Sequence, residues 1–309
     1  MKKLIIIFVI LFMVAFLIYS VYHFIFSFNW LDSGFISRWF NIGSGFHMKI
    51  GNSSNRTDEN LFVFKDNYIA KVPIRNLKLD LTGLNIKIVS YDGTSVSYDI
   101  SITSNFNLKV GREISGNTLI LRTYPNFGNN KKVKKSLLTI KIPKKMRLLT
   151  TDLIGCQLNM SSCNFSDVNF DMTGVKLSID NVDFNTLNSD LTGVDFDLQD
   201  STLNNINLDV TGGKLNFDSL VTSDFSLNLT GGKSDIYFSK YENISVNLTG
   251  GDVRLYGISR NSDFIGKVSF GQVEIFGKKY LRDFNEPGSD GTVEMNVSSG
   301  KLEISEGYF

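Results

Sequence analysis

The chain has 309 residues, 42% of them hydrophobic and 20% charged, which is ample material for a core in one or two domains. Its net charge of +1 conceals a split: residues 51–150 hold 17 Lys/Arg against 7 Asp/Glu, and residues 151–260 hold 6 against 15. Such a split either marks an oriented or partner-facing surface or simply solvates each half with its own charge type. The basic residues fall in Lys131–Lys135 and Lys141–Arg147 with no recognition motif around them, which argues against nucleic acid as a partner.

In chain order, Lys2 and Lys3 come first, and Leu4–Phe28 follows without a single Asp, Glu, Lys or Arg. Those 25 residues exceed the roughly 20 that a helix needs to cross a bilayer core. The run is also longer than a secretory signal core and ends in no small-residue cleavage pattern, so it reads as an uncleaved transmembrane signal anchor over 1–29. Two lysines precede the span and Asp32 is the first charge beyond it, which places the N-terminus in the cytoplasm and the bulk of the chain outside, as a single-pass protein of the cell membrane. Residues 30–61 form a juxtamembrane segment: Trp30, Trp39, Phe35, Ile36, Phe40 and Ile42 suit headgroup depth, and GNSSNRTDEN (51–60) is a polar tether. Everything from 62 to 309 is expected to be one extracytoplasmic β-repeat domain.

That domain opens with LDLTGLNIKIV (79–89), continues through alternating strands such as VSYDISIT (96–103) and TLILRT (118–123), and then meets a basic loop around Lys131. Next comes a strict beat. Gly155, Gly174, Gly193, Gly212, Gly231 and Gly250 are each 19 residues apart, within the words DLIG, DMTG, DLTG, DVTGG, NLTGG and NLTGG. Apolar residues recur two, four and six places before each glycine and one, three and five places after it, as in Val168, Phe170, Met172 and Val175, Leu177, Ile179. Two half-buried strands per unit follow, with a bend at the Thr-Gly pair where the alternation slips phase.

Two architectures fit: a parallel stack with one coil per unit, or an antiparallel meander with Thr-Gly as a hairpin loop. A two-residue hairpin favours Asn-Gly or Asp-Gly because both central residues take positive φ, which a β-branched threonine resists. Invariant unit length also favours stacking. The expected fold is therefore all-β, a β-solenoid (parallel β-helix-like) of 19-residue coils. After Gly250 the beat loosens, with Gly271 and Gly300 spaced by 21 and 29 residues and a turn-rich stretch at Pro287-Gly288.

Cys156 aligns with Val175 and Val194, and Cys163 with Val182 and Leu220, so both read as small core residues rather than a disulfide or metal pair. Stacking would align Asp152, Asp171, Asp190, Asp209, Asn228 and Asn247 on the outer face, beside a hydroxyl row of Thr173, Thr192, Thr211, Thr230 and Thr249. Three uses are open for these rows: oxygen ligands for Ca²⁺, an acid/base pair acting on a polysaccharide, or a solubilising face that resists edge pairing. No Gly- and Asp-dense calcium loop is present, and the acidic stretch is the most regular part of the chain, where grafted chemistry should have broken the repeat. His23 and His47 both lie before residue 62, so no Ser-His or Cys-His arrangement is available; Gly212-Gly213 and Gly231-Gly232 lack the Lys-Ser/Thr of a phosphate loop. No catalytic, cofactor-binding or metal-binding residue is expected, and no cofactor.

An apolar anchor, the pair LDLTGLNIKIV, a variable basic loop, LLTIKIPKK leading into glycine-centred repeats, and a closing VSSGKLEIS together resemble the adhesin-like β-strand-repeat (toast-rack) domains of bacterial envelope proteins. The resemblance covers most of residues 62–309 and implies a bacterial cell-surface location with ties to envelope-stress signalling. It supplies no catalytic residues. The leading expectation is a non-catalytic, membrane-anchored binding or sensing scaffold, with an envelope polysaccharide or a membrane protein as partner and residues 4–28 in the membrane. The alternatives are a carbohydrate-active β-helix enzyme using two ladder aspartates, and an accessory subunit of an envelope-stress system.

Overall fold

The computed structural model describes residues 61–124 and 131–306, which belong to one unit spanning Glu59–Phe309. The proposed anchor, its orientation and the juxtamembrane segment lie outside the described residues, save Leu61. Among the described residues every regular element is a strand, as the period-two alternation requires, and no helix is long and apolar enough to cross a membrane.

The chain begins with β1 (Phe62–Ile69), then β2 (Asn76–Thr82) and β3 (Asn85–Tyr91), then β4 (Ser97–Ser104), β5 (Lys109–Ser115), β6 (Thr118–Tyr124) and β7 (Val133–Pro143). The strict beat follows as β8 (Met146–Ile154), β9 (Gln157–Ser161), β10 (Asn164–Thr173), β11 (Lys176–Asp180), β12 (Asp183–Gln199) and β13 (Thr202–Val221), continuing through β14 (Asp224–Thr230), β15 (Lys233–Lys240) and β16 (Asn243–Tyr256). The last strands are β17 (Asp263–Val268), β18 (Gln272–Ile275), β19 (Lys278–Tyr280), β20 (Phe284–Glu286) and β21 (Thr292–Ile304). Lys134 and Lys135, read as part of a basic loop, lie instead on β7, where Leu138, Ile140 and Ile142 turn inward and hold the strand in the sheet.

Pairing within the beat is parallel throughout, with partners 19 residues apart except at one slip between β13 and β15: Asp171 lies between Asp152 and Asp190, and Leu177 between Leu158 and Phe196. The hairpin meander therefore does not form. Strands before each glycine make a first face and strands after it a second face, and their inward side chains meet in one core. Phenylalanines stack edge to face along it, Phe165 on Phe184 at 6.0 Å and Phe196 on Phe217 at 4.8 Å. Cys156 and Cys163 are buried free thiols, and Cys156 Sγ lies 3.3 Å from the Leu81 carbonyl.

The bends use two kinds of glycine. Gly155, Gly174 and Gly193 have φ near +60°, and a Cβ on Gly174 would meet nothing within 4 Å, so conformation alone demands glycine. Gly213, Gly232 and Gly251 stand at the register position that Val175 and Val194 fill in earlier repeats; a Cβ there would lie 2.2–2.6 Å from a carbonyl oxygen of the preceding repeat. Backbone groups at these corners are satisfied between repeats, since Gly155 and Gly174 N–H donate at 2.9 Å to the Thr173 and Thr192 carbonyls. A second corner recurs with the same period at Ser162, Asn181, Asp200 and Ser219, each with φ between 45° and 56°. The sequence reading did not identify it.

Chain order and stacking order differ at both ends. The pair β2/β3 lies between β6/β7 and β8/β9, in parallel with each. Likewise β21 sits between β16 on one side and β17/β18 on the other, so Gly300 packs on Gly251 and Gly271 packs on Gly300. Antiparallel strands complete both ends: β5 on β6, β4 and β1 beyond β7, β20 on β17 and β19 on β18.

Candidate functional site

On the first face the predicted row forms, and it is longer than the beat suggested. Asp80 pairs in register with Asp152, and the row continues through Asp171, Asp190, Asp209, Asn228 and Asn247 to Asn296. Arg122 terminates one end, its Nε 3.5 Å from Asp80 Oδ2, and Lys267 pairs in register with Asn296 at the other. Asp80 is legible in the sequence, because DLTG at 80–83 repeats a word of the beat; Asn296 is not, because it lies four places before Gly300 where the others lie three, and a register shift after Leu248 absorbs the extra residue. Arg122 and Lys267 had no such signal, because only the intercalated strand order brings them to the row.

The row divides chemically. Five carboxylates, from Asp80 to Asp209, stand on adjacent strands about 4.8 Å apart. The amides beyond them form a directed chain: Asn296 Nδ2 donates to Asn247 Oδ1 at 2.8 Å, Asn247 to Asn228 at 2.7 Å, and Asn228 to Asp209 Oδ1 at 2.5 Å. Each amide polarises the next toward the terminal carboxylate, and the last bond is charge-assisted. Burial, then repulsion from Asp80 and Asp171, holds the Asp152 carboxyl above its ordinary range, with Lys78 opposing the shift.

Thr173, Thr192, Thr211, Thr230 and Thr249 also stand in register on this face, two places beyond the acid–amide row. Their row is interrupted on one side by Ile154, which pairs with both Thr82 and Thr173 and is 52% exposed. Two places before the acid–amide row, Asn188 donates to Asn169 at 3.2 Å. A shallow groove of about 350 Å³ runs there, lined by Asn188, Asn205, Asn207, Asp224, Ser226 and Asn243. The face is thus a dense hydrogen-bonding surface. Among the described residues no three His, Cys, Asp or Glu side chains converge closely enough to hold a metal ion.

The family model described as Toastrack DUF4097 matches residues 74–305. No curated protein matches the chain. Among similar solved structures, a candidate adhesin from Parabacteroides distasonis is 11% identical with a TM-score of 0.47, the match covering 80% of this chain and 98% of that one. A candidate adhesin from Parabacteroides merdae is 12% identical with a TM-score of 0.46, covering 79% and 96%. A candidate lipid-binding protein from Parabacteroides distasonis is 15% identical with a TM-score of 0.46, covering 77% and 96%. With the β2/β3 pair, the glycine-centred repeats and the closing strand β21 all inside the matched span, the chain belongs to the Toastrack DUF4097 family.

Proposed function

We propose that this protein is a non-catalytic β-solenoid scaffold, held in the bacterial cell membrane by residues 4–28 with its N-terminus cytoplasmic, that displays its outer rows for adhesin-like binding at the envelope. Parallel pairing at a 19-residue offset from one repeat to the next supports the solenoid reading. The observation that carries the functional reading is the acid–amide row itself. Its amides are spent on joining one repeat to the next, from Asn296 through to Asp209, which suits a rigid presenting surface. A catalytic carboxylate pair would need a site for the reacting sugar between two groups of different protonation, and adjacent in-register strands leave the carboxylates side by side on one face.

The test uses the full chain expressed in bacterial cells. Protease added outside intact cells should degrade the repeat region and spare a cytoplasmic N-terminal tag; protection of the repeat region would refute the anchoring. The detergent-solubilised chain should retain cell-wall or capsular polysaccharide without shortening it. Cleavage that disappears in Asp171→Asn or Asp190→Asn would replace the scaffold with an enzyme.

A further inference from the structure

The second face is not as regular as the beat suggested. Between β13 and β15 the pairing follows the 19-residue offset as far as Phe217–Ile236, then slips so that Leu220 meets Phe238. The left-handed corner series stops at the same place: after Ser219 the next equivalent position, Phe238, has no positive φ, and the series resumes at Gly257. An open groove of about 570 Å³ lies across this fault.

Its lining has a specific composition. Tyr237 and Tyr256 stack with ring centroids 4.2 Å apart and planes 8° from parallel, and Tyr237 is 45% exposed. The two residues pair in register on adjacent parallel strands, so the rings stack along the direction in which repeats succeed one another. One face of Tyr237 covers Tyr256, and the other is turned toward the repeat that carries Asp218, where the groove opens. Beside the rings, Asn216 Nδ2 donates to Asp197 Oδ1 at 2.8 Å, and Arg254 Nη1 lies 3.5 Å from Asp235 Oδ1. These pairs hold acceptors and donors in fixed directions before any ligand arrives.

We propose that this groove is a binding subsite for an uncharged, hydroxyl-rich polysaccharide, one pyranose lying against the free face of Tyr237 while the groups around Asn216 and Arg254 take its hydroxyls. An aromatic face recognises the C–H face of a sugar, and flanking amide, carboxylate and guanidinium groups supply both donors and acceptors for hydroxyls. The carboxylates set the charge class. Asp197, Asp218 and Asp235 outnumber Arg254, so an anionic polymer is repelled. The inference deepens the proposed scaffold role and rests on it, but it is located on the opposite face from the acid–amide row.

The experiment immobilises hexasaccharides of glucose, mannose, N-acetylglucosamine and galacturonate and measures binding of the full chain in non-ionic detergent. At least one neutral hexasaccharide should bind, with galacturonate bound more weakly. Tyr237→Ala should weaken binding roughly tenfold, a loss in the range of one aromatic contact. Tyr237→Phe keeps the ring and should stay near the parent, and an unchanged thermal midpoint in both variants separates lost contact from lost fold. The proposal is overturned if no neutral hexasaccharide binds, if galacturonate binds best, or if Tyr237→Ala binds like the parent. Binding that survives Tyr237→Ala and falls with Asp171→Asn would move the site to the first face, sinking this inference while leaving the scaffold reading intact.

Discussion

Two glycine-to-alanine substitutions separate the two demands that the repeat makes on its corners. Gly174 has φ +62° with nothing within 4 Å of a built Cβ, so alanine there meets only left-handed backbone strain. That strain is about 1–2 kcal/mol, offset by about 0.4–1 kcal/mol from a less flexible unfolded chain, for a net cost near 1 kcal/mol. Gly232 has φ +92°, and its Cβ would lie 2.6 Å from the Gly213 carbonyl oxygen and 3.1 Å from the Gly213 nitrogen. Those are backbone atoms of the preceding repeat, so the clash is relieved only by separating two repeats. Local strain of about 1–3 kcal/mol then adds to an overpacking cost of about 1–3 kcal/mol. Gly232→Ala should therefore cost about 2–6 kcal/mol in total, at least twice the cost of Gly174→Ala. On a domain of this size each kcal/mol lowers Tm by roughly 2–4 °C, so circular dichroism melts of the full chain in detergent resolve the two variants easily. Gly174→Asn should fall between parent and Gly174→Ala, because asparagine tolerates the left-handed region. Equal melting points for Gly174→Ala and Gly232→Ala would refute the close-approach argument.

The acid–amide row yields two further tests. Asn228→Asp replaces the donor to Asp209 with a like charge and should destabilise the chain by about 1–2 kcal/mol at neutral pH, recovering in acid, as read from urea midpoints across pH. Asp152→Asn should act in the opposite sense. The folded Asp152 carboxyl holds its proton more tightly than the unfolded group at 3.8, so its contribution is greatest below that value and is lost as pH rises through the raised folded value. The amide removes that loss, and the variant should gain about 0.2–1 kcal/mol over the parent at pH 7 and nothing at low pH. In the core, Ser234 has an unpaired buried hydroxyl between Leu215 and Val253 in register; Ser234→Val should stabilise by about 1–2 kcal/mol in the same denaturation assay, and a loss would show that the site lacks room for the branch. Burial pushes the Cys156 and Cys163 thiols up to about 11, so iodoacetamide at pH 8 should label neither until urea unfolds the chain, which mass spectrometry of labelled peptides reads directly.

Much of this was legible residue by residue. Val168, Phe170, Met172, Val175, Leu177 and Ile179 are all buried, as the alternation on either side of Gly174 requires. Thr173, Thr192, Thr211, Thr230 and Thr249 keep negative φ beside their left-handed glycines, which is why the Thr-Gly pair makes a corner and not a hairpin loop. The second corner was harder to see. Ser162, Asn181, Asp200 and Ser219 share a phase but not an identity, and small polar residues in a β protein sit in many ordinary turns. The fault beneath Tyr237 leaves the 19-residue glycine count untouched, and its one local mark is Phe238 standing where earlier repeats carry Ser162, Asn181, Asp200 and Ser219.

What the sequence alone determined is therefore the period, the inward and outward sides of each strand, and the bend at each Thr-Gly pair. These follow from side-chain alternation and allowed φ, which act within a few residues of each other. What only the tertiary structure decided is which strand lies beside which. Both edges of a strand carry the same N–H and C=O groups, so alternation identifies a face without naming a neighbour. The placement of β2/β3 between β6/β7 and β8/β9, and of β21 between β16 and β17/β18, is settled by packing across long separations, as where the Leu84 N–H meets Cys156 Sγ at 3.5 Å across 72 residues. That order is what sets Arg122 and Lys267 at the two ends of the acid–amide row, and Tyr237 and Tyr256 acquire their shared stack in the same way, from register between repeats.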